Sequence, residues 1–143
     1  MSQKPGGGYI LVLRVQKAVS ISIGKLGIIE MKFGRYYYGG SAKRGITARV
    51  CRHFAETKNP YWHIDYLTAH KDVDVTEAWC FPGFPAVEHA LTHHKALTGE
   101  GILRGFGNSD CRSGCPQHLW KEKTHLAPED FTENYYIEKN PLL

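Results

Sequence analysis

The sequence predicts an α+β domain built on a small, mostly antiparallel sheet flanked by helices. Three observations carry that prediction. Short apolar segments with period-two alternation fill the first 40 residues. From Ile46 the apolar spacing changes to a helical one, and after that a strand pattern and a second helical pattern follow in turn. The chain of 143 residues is long enough for one core and too short for two ordinary ones, so residues 1–143 are read as a single domain.

Each element has its own signal. "GYILVLRV" (8–15) is an apolar, β-branched run after a Gly-rich start expected to be flexible over about 1–7. "VSISIG" (19–24) places Val19, Ile21 and Ile23 on one face, and "LGIIEMKFG" should pair back across the intervening turn. "RYYYGG" reads as a strand that ends where Gly39 and Gly40 break the pattern. Ile46, Val50 and Phe54 then share a helical face, with Thr47 as its start and Asn59-Pro60 as its end. "YWHIDYLTAH" (61–70) fits helix or strand, "VDVTEAWCF" (73–81) fits a strand, and Pro82-Gly83 should end it. "PAVEHALTHHKAL" (85–97) is a helix pattern opened by Pro85. "GFGNSDCRSGCPQ" (105–117) is turn chemistry, "HLWKEK" a short strand, and the segment from about 125 to 143 is expected to be peripheral.

Charge is uneven along the chain. Between Lys32 and Lys58 stand Lys32, Arg35, Lys43, Arg44, Arg49, Arg52 and Lys58 against Glu56 alone, within a net charge of +4. From Glu122 onward acids outnumber bases. A basic zone of this kind suits a polyanion, and equally a solvated face. No apolar run reaches the ~20 residues of a membrane span. The opening "MSQKPGGGY" lacks the apolar stretch of a secretory leader, so a cytoplasmic location is the expectation. Four cysteines without such a leader argue for reduced thiols or metal ligands rather than disulfides.

Several residues could carry chemistry. Tyr36 and Tyr38 fall on one side of their strand and Tyr37 on the other. Arg49 and His53 are four apart and share a helix face, where a guanidinium fork can meet phosphate and an imidazole can hold a proton. In "WHIDYL", His63 and Asp65 would share one side of an extended segment and could contact a nucleotide, carry a proton or bind metal, or equally form a packed pair in the core. Tyr61 and Trp62 could stack on bases or fill the core. Cys111, Cys115 and His118, with Asp110 alongside, have spacings that suit structural Zn²⁺, or they are buried thiols with a capping histidine. Glu88 in a first helical turn would by itself be a response to the helix dipole.

The order of these residues resembles the GIY-YIG nuclease family, and its small stand-alone Uri-type branch in particular. "GYI" at Gly8–Ile10, "YGG" at Tyr38–Gly40, and the blocks "YYYGGSA", "RHF", "WHIDYL" and "GFGNSDC…HLW" carry the resemblance over roughly residues 8–120. Gly8-Tyr9-Ile10 inverts the last two letters of the first motif, and Gly39 replaces a branched residue in the second. The resemblance implies hydrolysis of DNA phosphodiesters with one divalent ion, Mg²⁺ or Mn²⁺. Tyr9, Tyr38, Arg49, His53 and Glu88 would then be catalytic, with Glu88 holding the ion and Asn108 a candidate for the family's late asparagine. Lys43, Arg44, Arg52, His63 and Asp65 would contact the substrate. A tyrosine acting on water would need its pKa lowered, which nearby cations would favour. Two alternatives stay open: a nucleic-acid-binding module of the same fold with degenerate catalysis, and an interaction domain clipped by zinc.

Overall fold

A computed structural model describes residues 6–55, 62–92, 94, 118–123 and 125–143. Among these residues, seven strands and three α-helices follow in the order β1 (Gly7–Val15), β2 (Val19–Ile23), β3 (Gly27–Met31), β4 (Gly34–Ala42), α1 (Ile46–Phe54), α2 (His63–Thr68), β5 (Val73–Pro82), α3 (Val87–Thr92), β6 (Leu119–Lys121) and β7 (Tyr136–Lys139). Five strands form one sheet in the order β6-β4-β1-β5-β7, and neighbouring strands in it run antiparallel. β2 and β3 pair separately as the predicted hairpin. None of the described helices is long and apolar enough to cross a membrane.

β1 is central because its side chains are apolar on both faces. Tyr9, Leu11, Leu13 and Val15 point into a core shared with β2, β3, α1 and α2, whereas Ile10 and Val12 point into a second core with Val87 and Leu91 of α3. Such a strand can only sit between two covered layers. The same alternation separates Tyr36 and Tyr38 from Tyr37, as the sequence predicts. Tyr37 is fully buried, so its hydroxyl needs partners: it donates to the Glu122 carboxylate and accepts from the Leu126 N–H at 3.1 Å.

Several boundaries differ from the sequence reading for physical reasons. β4 does not end at its glycines; Gly39 pairs with Ile10 and Gly40 with Tyr9, and the strand runs on to Ala42. Glycine is needed there for close approach. A Cβ on Gly39 would lie 2.8 Å from Glu88 Cα, and one on Gly40 would lie 2.4 Å from the Tyr9 ring. α1 begins at Ile46, after Gly45 at φ 71°, a left-handed conformation that suits glycine better than Thr47. It ends at Phe54, and Asn59-Pro60 lies outside the described residues. The ambiguous segment resolves as α2, in which His63 and Asp65 no longer share one side.

The segment expected to be peripheral adds an edge strand to the sheet. β7 pairs with β5 from Glu77↔Lys139 to Cys80↔Tyr136. Phe131 and Tyr135 pack beside Phe81 in the second core. Of the helix predicted over 85–97, Val87–Thr92 is helical, and residues 93 and 95–97 are outside the described set, as is the turn-rich 105–117.

Gly39→Ala should lower stability by about 1–3 kcal/mol, because the new methyl meets helix backbone rather than a flexible side chain. A urea midpoint unchanged from wild type would show that α3 is not seated on this strand.

Candidate functional site

The catalytic candidates gather at the Gly39–Gly40 end of β4. Tyr9 stands opposite Gly40 and Tyr38 opposite Leu11, and both phenols face α1. α1 brings Arg49 and His53 over them one turn apart. The Tyr9 hydroxyl lies 2.9 Å from His53 Nε2 in a buried hydrogen bond, with the rings 5.4 Å apart at 46°. Arg49 Nη1 donates to the Ser41 carbonyl at 2.8 Å, which ties α1 to the end of β4. Tyr9 therefore lies on the face that carries Tyr38.

Trp62, at the head of α2, closes this group from one side. The guanidinium carbons of Arg49 and Arg52 lie 4.8 and 4.5 Å from its ring centroid, and the His53 ring is 5.9 Å away. Arg52 makes a fork of hydrogen bonds to both Asp65 oxygens, at 2.7 and 3.0 Å, and the Trp62 N–H donates to the same carboxylate at 2.9 Å. Asp65 is 0% exposed. Expected as a substrate contact, it is an internal anchor instead, and Arg52 is its partner. With two guanidiniums over its ring, Trp62 is not a bare platform for stacking bases. His63 opens α2 and is half-buried.

Glu88 approaches from the other layer. α3 lays it across Gly39, and its carboxylate is 18% exposed. Its oxygens lie 3.4 Å from His89 Nε2 and 3.9 Å from His118 Nδ1. His118 is buried, and its carbonyl accepts the Gly39 N–H at 3.0 Å. Burial is the main cause that raises the pKa of Tyr9 and of Tyr38, and the Glu88 carboxylate adds to the rise at both. His118 thus joins the Glu88 side of the site. Its expected zinc companions Cys111 and Cys115 lie outside the described residues, as do Asn108, Asp110 and Tyr61. Among the described residues no group of three or more His, Cys, Asp or Glu is arranged to hold a metal ion.

The electrostatics correct one expectation about the tyrosines. Desolvation dominates at Tyr9 and holds its phenol above the ordinary value of 10.0; Arg49 pulls the other way without overcoming it. Tyr38 is held well above that value for the same first reason, reinforced by Tyr9, Glu88 and Asp65. The cations that the sequence places nearby do not outweigh burial. Both phenols are therefore proton donors at neutral pH. Of the remaining thiols, Cys51 is exposed and Cys80 is buried, and burial pushes the Cys80 thiol up to about 12.

Lys43 and Arg44 are exposed just beyond β4. Lys43 lines a cavity of about 360 Å³ with Gly6, Gly7, Ser41, Ala42, Gly83 and Pro85. Ser41, which lines this cavity, is also the residue whose carbonyl holds Arg49. Part of the basic zone is instead held internally. Arg35 lies 3.6 Å from Glu122 and 2.6 Å from His125 Nδ1, and Arg52 is locked on Asp65.

Comparison with protein families places residues 8–139 on the model described as "Domain of unknown function DUF123". The chain belongs to that family. No curated protein matches it, and no solved structure does. The matched span contains Tyr9, Tyr38, Arg49, His53, Trp62, Asp65, Glu88 and His118, and so takes in both layers of the site.

Alkaline pH should expose the buried phenols. In the unfolded chain they ionise near pH 10, whereas in the fold they keep their protons, so above that pH the native state binds more protons and stability falls. Below it there is no contribution. Tyr9→Phe and Tyr38→Phe should each make the decline of the melting temperature above about pH 10 shallower than in wild type. An identical slope in wild type and both variants would contradict the burial effect.

Proposed function

We propose that this chain is a divalent-metal-dependent nuclease that hydrolyses phosphodiester bonds in DNA, working on the GIY-YIG pattern. One observation carries the reading: the buried Tyr9–His53 hydrogen bond beside Arg49, with the Glu88 carboxylate acting electrostatically on both tyrosines across Gly39. The exposed Lys43 and Arg44 supply positive charge where the DNA backbone would approach.

Glu88 is the residue that would hold the cation. Its partly exposed carboxylate offers hard oxygen donors, and a Mg²⁺ or Mn²⁺ ion that keeps several waters can be held by one such group. When bound, the ion supplies polarisation of the phosphoryl oxygen and stabilises the leaving oxygen.

The chain's own residues account for the rest. Arg49, fixed by the Ser41 carbonyl, presents its remaining N–H groups to charge that builds on the nonbridging oxygens. Tyr9 does not need to become a free phenolate, which its raised pKa opposes. As water attacks phosphorus, the water proton passes to the Tyr9 oxygen while the Tyr9 proton passes to His53 Nε2 along the existing 2.9 Å hydrogen bond. The new P–O bond forms, the ester P–O bond breaks, the leaving alkoxide takes a proton from solvent, and His53 is left as imidazolium, which then returns its proton to solvent. Tyr38, protonated and on the same face, is a hydrogen-bond donor to the phosphate or to the water.

Glu88→Ala and Arg49→Ala should each reduce Mg²⁺-dependent cleavage of a labelled DNA oligonucleotide by about 100- to 1,000-fold while the melting temperature survives. Cleavage at the wild-type rate in both variants would overturn the site. Salt-sensitive binding with no product from the wild-type chain would instead establish a binding module of the same fold.

A further inference from the structure

Two functional candidates, Arg49 and His53, share a neighbour that no motif assigns to the chemistry. Trp62 lies 4.8 Å from the Arg49 guanidinium carbon and 5.9 Å, ring to ring, from His53. It is held in place by more than packing. Its backbone N–H donates to Asp65, Asp65 is bonded twice by Arg52, and the Arg52 guanidinium returns to lie 4.5 Å from the Trp62 ring. Trp62, Asp65 and Arg52 therefore close a loop of contacts between α1 and the head of α2.

A fully buried carboxylate is costly unless its lone pairs are met by good donors. Here three donors reach Asp65, one of them from the very residue whose ring carries both guanidiniums. Arg52 and Arg49 lie three apart on α1, so fixing Arg52 on Asp65 sets the height of α1 against Trp62. The planar face of Trp62 then limits how far the Arg49 side chain can swing. Ser41 holds the other side of that guanidinium through the 2.8 Å hydrogen bond.

We infer that Trp62, locked by the Asp65–Arg52 pair, is a positioning residue that holds Arg49 and His53 in their working orientation. This rests on the hydrolase reading for what the orientation serves, while the clamp itself is independent of that reading. Arg52 acts here through Trp62 and Asp65, away from the DNA backbone.

The test compares Trp62→Leu, which removes the aromatic face, with Trp62→Phe, which keeps part of it and is the gentler change for folding. The first readout is the Nε–H resonance of Arg49 by ¹⁵N NMR on the full chain, without metal or DNA. Its heteronuclear NOE, high where the guanidinium is held, should fall in Trp62→Phe and fall further in Trp62→Leu. The second is cleavage of a labelled DNA oligonucleotide with Mg²⁺, where kcat should fall in the same order, by roughly 10- to 100-fold for Trp62→Leu, with KM nearly unchanged. An Arg49 Nε heteronuclear NOE equal to wild type in both folded variants overturns the clamp. So does a kcat equal to wild type in both. If the wild-type chain cleaves nothing, the hydrolase reading fails, and the resonance alone decides whether Trp62 holds Arg49.

Discussion

Everything in the candidate site depends on how thin the sheet is at Gly39 and Gly40. Tyr9 crosses one face of this backbone and α3 lies on the other, and the space a Cβ would need is already taken on both sides. A protein interior is packed too densely for either neighbour to yield without disturbing the rest. Removing two side chains at successive positions of a strand weakens it locally, since glycine gains little from burial and loses more entropy on ordering. The compensation is proximity. A carboxylate that belongs to one helical layer becomes an electrostatic neighbour of two tyrosines that belong to the other.

That proximity makes sense of the remaining charges. Four ionisable types meet near β4: phenols that burial keeps protonated, an arginine fixed by a backbone carbonyl, an imidazole bonded to a phenol, and a partly exposed carboxylate. Arg52 and Asp65 stand behind them as a pair whose charges cancel internally. Pairs of this kind contribute little net stability compared with apolar packing, but they fix geometry, because only one arrangement satisfies every donor. The basic zone of the sequence thus has two functions. Lys43 and Arg44 remain exposed, whereas Arg35 and Arg52 organise the fold.

Much of this architecture was legible because periodicity reports burial directly. The alternation through Tyr36, Tyr37 and Tyr38 assigned each ring to the correct face, and Ile46, Val50 and Phe54 gave the core side of α1. What failed did so where one residue pattern serves two physical causes. Gly39-Gly40 reads as a strand end, yet the same bareness is required when a helix and a ring press on a continuing strand. His63 and Asp65 looked paired under a period of two, and the helical period parted them. Cations near the tyrosines were countable in the sequence, but desolvation was not, and it decides the direction of both phenol shifts. β7 was missed because four residues alternating only between half-buried and exposed give little hydrophobic signal.

In the proposed reaction the two layers would serve one phosphate: Glu88 would hold the cation on one side of the bare strand while Arg49 and Tyr9 would meet the same group from the other. Crystals of the full chain soaked with Mn²⁺ and a cleavage-resistant phosphorothioate DNA oligonucleotide test it most directly, through the anomalous signal of the metal. The expected result is a Mn²⁺ peak at the Glu88 carboxylate with a backbone phosphate between it and Arg49. A metal bound away from Glu88, or a phosphate seated away from Arg49, would contradict it.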